Sequence, residues 1–312
     1  MWAKQKQSGF TIVELLIVIV VIGILAAITI VAYNGIQTKA KTAALQTDLE
    51  NTAKTLEQYK LTNTPGVEQY PSAGNIQAAL KLGTDTTFTP ASGYIVNNAI
   101  SPAAYCLTLG SNSLANTPFS VSSTSSVPTA GSCVTNTIPN PGFEVNMDNW
   151  SPSNCNSPTR DTAVKNSGSY SFKCSVAGDN IVTFYAGPSN PVTVGDTYTV
   201  SAYLRSTRAR TAEIYISMLN SSSAEVARVN SNYTTLPANT WVRGSASGVV
   251  PAGTVAMRIQ INYRDTLMPE QVWVDDVMYT AGAKLYSYGD GNSSSWWWTG
   301  AANNSSSVGP AV

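Results

Sequence analysis

Residues 10–33 read FTIVELLIVIVVIGILAAITIVAY, apolar almost throughout, with Glu14 as the one charge. The stretch from Leu15 to Ala32 is uncharged and long enough to cross a bilayer as a helix. Past Tyr33 the pattern turns from uniform to periodic. Leu45, Leu49, Ala53 and Leu56 recur at three- and four-residue steps and make one apolar stripe. Glu50 and Lys54 stand in the favourable i, i+4 order, and no proline occurs before Pro65. This predicts one helix from Phe10 to about Lys60, about 75 Å long. Its first half belongs in lipid or a fibre core, and its second half packs on a head domain.

Strand-like pieces at 93–96, 105–109 and 119–122, separated by Ser/Asn/Pro turns, predict that head over 63–133. Residues 134–140, with Pro139 inside and Pro141 just beyond, read as a short stiff linker. Alternation then becomes regular, in segments 170–174, 198–204, 212–218, 241–247, 256–261 and 272–279 split by Gly, Asn and Pro. Even spacing of this kind predicts a two-sheet β-sandwich over 141–282. In the tail, 283–312, segments 284–288 and 295–299 are expected to form a hairpin around Gly289, Asp290 and Gly291. Trp296 and Trp298 would share one strand face and Trp297 take the other. Covering the sandwich edge is their expected role, with a ligand-contact surface as the alternative. The fold class is α+β: a long N-terminal α-helix with a small head, then an all-β sandwich.

Composition narrows the chemistry. Eighteen basic residues balance eighteen acidic ones, which argues against a general polyanion binder, so nucleic acid is not an expected partner. Arg205, Arg208 and Arg210 form a small basic cluster, expected on a solvated loop. There is no histidine, which removes Ser-His-Asp hydrolysis, Cys-His proteolysis and His-ligated zinc. The four cysteines, Cys106, Cys133, Cys155 and Cys174, form no CxxC pair, so no thiolate metal site is expected. Everything after the membrane helix should lie outside the cytoplasm, where disulfides persist. Sequence permits three pairings. Cys106–Cys133 with Cys155–Cys174 is favoured, because a domain boundary falls between Cys133 and Cys155.

Glu14 needs a reason to be where it is, since a charge inside a bilayer costs about 3 kcal/mol on insertion scales. The basic stretch before it, with Lys4 and Lys6, ends in Ser8-Gly9 ahead of the apolar core. A cut at Gly9 would therefore leave the hydrophobic segment on the mature protein, the reverse of a secretory signal. The sequence Gly9-Phe10-Thr11-Ile12-Val13-Glu14-Leu15-Leu16 resembles the processing site of type IV prepilins. The resemblance implies cleavage after Gly9 by a prepilin peptidase, methylation of Phe10, and pairing of Glu14 with a neighbouring subunit's N-terminal ammonium during assembly. A buried charge that finds its partner only on assembly penalises wrong register. The resemblance also implies a disulfide-closed loop, Cys106–Cys133, in a pilin head. Many pilins carry a proline in the second half of this helix; here only Gly23 and Gly35 are weak points.

The second half carries its own set of motifs. Asn140-Pro-Gly-Phe-Glu144, Trp150, Ser167-Gly-Ser-Tyr-Ser171, the run from Tyr198 to Tyr203, Trp241, Val250-Pro-Ala-Gly253 and the run from Val272 to Val277 follow in order. Together they resemble carbohydrate-binding modules of the family four, nine and twenty-two group, which are jelly rolls. That resemblance implies a structural calcium, with Glu144 and Asp275 or Asp276 as candidate ligands. Sugar binding needs aromatic faces with polar neighbours. Tyr185, Tyr203, Tyr215, Tyr233 and Tyr263 are candidates, each competing with a role in the core. The Trp-Thr-Gly sequence at 298–300 resembles the ends of some phage tail and bacterial surface proteins.

These readings give a leader (1–9), a helix (10–62), a head (63–133), a linker (134–140), a sandwich (141–282) and a Trp-rich β tail (283–312). The function they imply is a type IV pilus subunit, minor or at the tip, whose distal domain adheres to surface carbohydrate. Other pilin subunits and the prepilin peptidase are its expected partners. The chain would sit in the cytoplasmic membrane before assembly and on the extracellular pilus afterwards. No enzyme is expected, since no spacing singles out a carboxylate pair for glycoside cleavage. The alternatives are a pseudopilin of a secretion system and a tethered surface glycoside hydrolase.

Overall fold

A computed structural model describes residues 12–310 apart from 63–68, 77–79, 81, 89–92, 100–101, 115–117, 177–179, 231–232 and 267–268. The N-terminal apolar run and the periodic segment after it form one helix, α1 (Ile12–Thr62). Its most apolar 18-residue window has mean hydropathy 3.3 and is 0% buried within the molecule. That half is long and apolar enough to cross a membrane. In the other half the expected stripe is buried: Leu45, Leu49, Thr52, Ala53 and Leu56 face the head.

The head is antiparallel, with β1 (Thr86–Thr87), β2 (Tyr94–Asn97), β3 (Ala104–Ser111), β4 (Phe119–Ser122) and β5 (Ser125–Ala130). Strand β3 is central and pairs with β1, β2 and β4. Tyr70, Tyr105, Leu107, Leu109 and Val121 close over the helix stripe. Polar ties fix the helix on the sheet: Asp48 accepts from the Gly83 amide at 2.9 Å and the Thr86 hydroxyl at 2.5 Å. The disulfide Cys106–Cys133 closes the head.

Strand β6 (Cys133–Asn136) leads into the sandwich. There follow β7 (Trp150–Ser153), β8 (Cys155–Asp161), β9 (Ser171–Val176), β10 (Asn180–Pro191), β11 (Thr197–Ser206) and β12 (Arg210–Leu219). Next come β13 (Glu225–Asn230), β14 (Thr234–Leu236), β15 (Val242–Val249), β16 (Ala256–Thr266) and β17 (Gln271–Ala281). One sheet has the order β13-β12-β16-β10-β7, with β14 beside β12, and the other β15-β11-β17-β9-β8. From β9 onward the chain crosses between the sheets at almost every connection, and its pairs are antiparallel. That interleaving is a jelly roll, two Greek keys wound into a double sheet. A chain of edge-to-face rings, Trp150, Phe143, Phe172, Phe184 and Tyr263, runs through the core at centroid distances of 5.0–5.9 Å. Cys155–Cys174 joins β8 to β9, so both disulfides follow the favoured pairing.

Two readings change in detail. Residues 134–140, expected as a short stiff linker, are held by long-range partners. Asn136 is fully buried, donates its amide to the Val277 carbonyl at 3.0 Å and accepts from the Tyr279 amide at 3.1 Å. Ile138 enters the sandwich core. The prolines set the backbone, but long-range partners hold it. The tail hairpin also differs: β18 (Trp297–Trp298) pairs with β19 (Ser307–Pro310), not with 284–288, and β19 pairs in turn with β6. Segment 284–288 instead lays Tyr286 and Tyr288 beside Trp296. Trp296 sits so close to Gly289 and Gly309 that a Cβ at either would enter its ring.

Candidate functional site

Strict alternation in three central strands builds the site. In β12 the residues Ala212, Ile214, Ile216 and Met218 face the core, which sends Glu213, Tyr215 and Ser217 outward. In β16 the core takes Met257, Ile259, Ile261 and Tyr263, leaving Arg258, Gln260, Asn262 and Arg264 on the outer face. Strand β10 contributes Thr183 and Tyr185 between the inward Val182 and Phe184. Register then sets these side chains abreast. Tyr215 on β12 lies opposite Gln260 on β16, and Gln260 lies opposite Tyr185 on β10, with Ser151 of β7 next in the row. The neighbouring rows hold Glu213, Asn262 and Thr183 on one side and Ser217 and Arg258 on the other.

The outer face is organised by hydrogen bonds. Tyr215 donates its hydroxyl to the Gln260 carbonyl oxygen. Gln260 donates its amide to Ser217 Oγ at 2.6 Å, and Thr183 donates to Asn262 Oδ1 at 2.7 Å. Arg264 donates to Glu213 Oε2, its Nη2 at 2.5 Å. The Arg228 guanidinium stacks 4.3 Å above the Tyr215 ring. A cavity of about 400 Å³ opens at the end of the row, lined by Asn149, Ser151, Tyr185 and Arg258. Tyr215, 5% exposed and covered by Arg228, braces the polar row, while Tyr185, only partly buried, is the ring that can cover the apolar face of a polyhydroxylated ligand. A larger cavity, about 730 Å³, lies between head and sandwich, with Thr108, Thr135, Tyr198 and Tyr279 among its walls. It lacks such an ordered polar row.

Of the aromatic candidates, the fold brings together Tyr185 and Tyr215. Tyr263 is wholly buried and donates its hydroxyl to the Trp273 carbonyl, so it is a core residue. Tyr203 belongs to β11 of the opposite sheet, and Tyr233 is exposed beside Arg264. Trp296 and Trp298, 5% and 8% exposed, are buried like Tyr215 and offer no open stacking face. Gln260, Asn262, Ser217, Thr183 and Arg258 were not singled out from the sequence. The apolar/polar alternation of 256–264 carried the signal, since its polar positions are Arg, Gln, Asn and Arg. The basic cluster is not a solvated loop throughout: Arg210 is buried, paired with Glu270, and donates to the Arg264 carbonyl at 2.6 Å.

The three carboxylates meet around the loop 166–170. Asp275 Oδ2 accepts from the Asn166 amide at 2.8 Å, and Asp276 accepts from Ser167 Oγ at 2.7 Å and Asn166 Nδ2 at 2.6 Å. Glu144 Oε1 accepts from the Ser169 and Tyr170 amides at 2.8 and 3.2 Å, over Gly168, whose φ of 58° puts it in the left-handed region. Burial, reinforced by the Asp276 charge, pushes Asp275 up to about 8, and burial raises Asp276 as well. Among the described residues no Lys or Arg forms an ion pair with either aspartate. Nor do any three His, Cys, Asp or Glu residues form a ready metal cluster. The donors are nevertheless hard oxygens of the type calcium takes. At the other end of the molecule, Glu14 lies in the first turn of α1; Gly9 and Phe10 fall outside the described residues.

Comparison with known proteins divides the chain in the same way. Residues 4–30 match the family described as prokaryotic N-terminal methylation motif, and residues 135–266 match the carbohydrate binding domain family. Among curated proteins, the type II secretion system core protein G of Pseudomonas aeruginosa is 37% identical over 82 residues, covering 26% of this chain and 55% of its own. That of Escherichia coli is 38% identical over 63 residues, covering 20% and 43%. The chain spans about half the length of these curated relatives. Among solved structures, a CBM22-1 xylan-binding domain from Paenibacillus barcinonensis aligns at TM-score 0.40 and 9% identity, covering 50% of this chain and 97% of that one. The CBM22-1-GH10 modules of a Clostridium thermocellum xylanase, complexed with xylohexaose, align at TM-score 0.40 and 19% identity, covering 46% and 28%. The chain thus joins a segment similar to the prokaryotic N-terminal methylation motif, at residues 4–30, to one similar to the carbohydrate binding domain family, at residues 135–266.

Proposed function

We propose that the protein is a minor or tip subunit of a type IV pilus that carries its jelly roll outward to bind saccharide. The observation behind this reading is Tyr185, set beside the Gln260 row and lining a cavity with Asn149, Ser151 and Arg258 on the jelly roll. The added sandwich is bulky, which suits an end position better than a repeating shaft. The chain is read as a binder and not a hydrolase, because Glu213 and Glu225 on this face are paired with Arg264 and Arg228, whereas glycoside cleavage needs two working carboxylates. A calcium ion held by Glu144 with Asp275 or Asp276 would supply the counter-charge those aspartates lack and tie the loop 166–170 to β17.

The second reading, a pseudopilus subunit, is favoured by the relatives, which belong to type II secretion systems. Shearing cells and probing the fibre fraction separates the two: a surface pilus subunit is recovered there, and a pseudopilin stays with the cells. Glycan-array binding without reducing-sugar release supports the binder. No binding to any glycan would overturn the adhesive role.

A further inference from the structure

We infer that the outer face of the jelly roll selects acidic saccharides, those whose rings carry a carboxylate, through Arg258. The inference rests on reading that face as a saccharide site. Three arginines stand on it, and two are already neutralised. Arg264 is paired with Glu213 at 2.5 Å, and Arg228 with Glu225 at 3.0 Å. Arg228 also spends its guanidinium plane on the Tyr215 ring.

Arg258 differs from both. It is half-buried on β16, opposite Ser217, and among the described residues it has no carboxylate, carbonyl or ring partner. Arg258 lines the cavity that Tyr185, Ser151 and Asn149 complete. A guanidinium without a protein acceptor is open to an anion brought in from outside. The guanidinium fork matches a carboxylate bidentately, and such charge-assisted bonds are roughly twice as strong as neutral ones.

Spacing fits a single sugar at this point. Along β16, Arg258 is two residues from Gln260, about 6.8 Å, and Tyr185 stands opposite Gln260 on the next strand, about 4.8 Å from it. A pyranose ring covering Tyr185 can reach the Gln260 row with its hydroxyls and Arg258 with a carboxylate on its rim. A neutral sugar in the same place leaves the guanidinium facing hydroxyls alone.

The test compares a uronic-acid trisaccharide with its carboxyl-reduced twin, by calorimetry on the full chain in detergent micelles, at low and high salt. The expected result is about tenfold or greater preference for the uronate, weakened by salt. Arg258→Gln should level the two affinities by lowering that of the uronate far more than that of the reduced twin, and Arg258→Lys should keep part of the preference. Equal affinities in the unmodified chain, or a preference that survives Arg258→Gln, overturn the inference but leave the saccharide site standing. Failure of both sugars to bind overturns the site itself, and the inference with it.

Discussion

Trp297 of the tail is buried against Cys106 of the head, in a small cluster with Ala104, Val308, Ile95 and Cys133. The next tail strand pairs with β6, which itself runs into the sandwich. Asn97 of the head donates its amide to the Thr299 carbonyl at 2.5 Å. Head and sandwich are therefore clamped by the C-terminal end of the chain and do not hang from a linker.

Trp297→Ala should remove that clamp. Truncating a buried tryptophan costs about 3–5 kcal/mol where the cavity cannot collapse. Scanning calorimetry is expected to show a lower transition that splits in two, as head and sandwich melt separately. One transition at the original temperature would show that the tail does not couple them.

Tyr185 and Tyr263 should respond in opposite ways. Tyr185→Ala is expected to weaken saccharide binding about fivefold to tenfold with the melting temperature unchanged, because the ring lies on the outer face. Tyr263→Phe removes a buried hydroxyl bonded to the Trp273 carbonyl and should cost about 1 kcal/mol of stability, with binding intact. Thermal melts beside glycan titrations distinguish the two.

The aspartate pair gives a pH signature. Asp275 keeps its proton up to about pH 8 when folded, whereas an unfolded aspartate releases it near pH 3.9. Between those values the native state binds more protons, so stability falls as pH rises. Glu144, Asp290 and Arg243 act on Asp276, and none reverses the direction. In chelator the protein should melt higher at about pH 5 than at about pH 8. Calcium, if held there, should raise the melting temperature most at the alkaline end. Melts insensitive to both chelator and calcium would leave Glu144 as a loop clasp only.

Glu14→Ala should leave membrane insertion intact, since removing a charge eases it. Fibre incorporation should nevertheless fall, and immunoblots of membrane and sheared fractions measure both. Mass analysis of the mature N-terminus is expected to find Phe10, methylated. A chain that still begins at Met1 would remove the prepilin reading.

The sequence determined what local periodicity can encode. A charge-free run sets the apolar half of α1, and the stripe from Leu45 to Leu56 sets its packing half, because helical contacts repeat within one turn. The alternation of 256–264 likewise decides which β16 side chains share a face. Tertiary structure alone decided which strands stand side by side. Tyr215, Gln260 and Tyr185 become one row only through the β12–β16–β10 order, across long stretches of chain. The same holds for β6 meeting β19, for Asn136 reaching Val277, and for Arg258 having no ion pair among the described residues beside arginines that do. Strand pairing over such separations depends on the whole core closing at once, and no local pattern contains it.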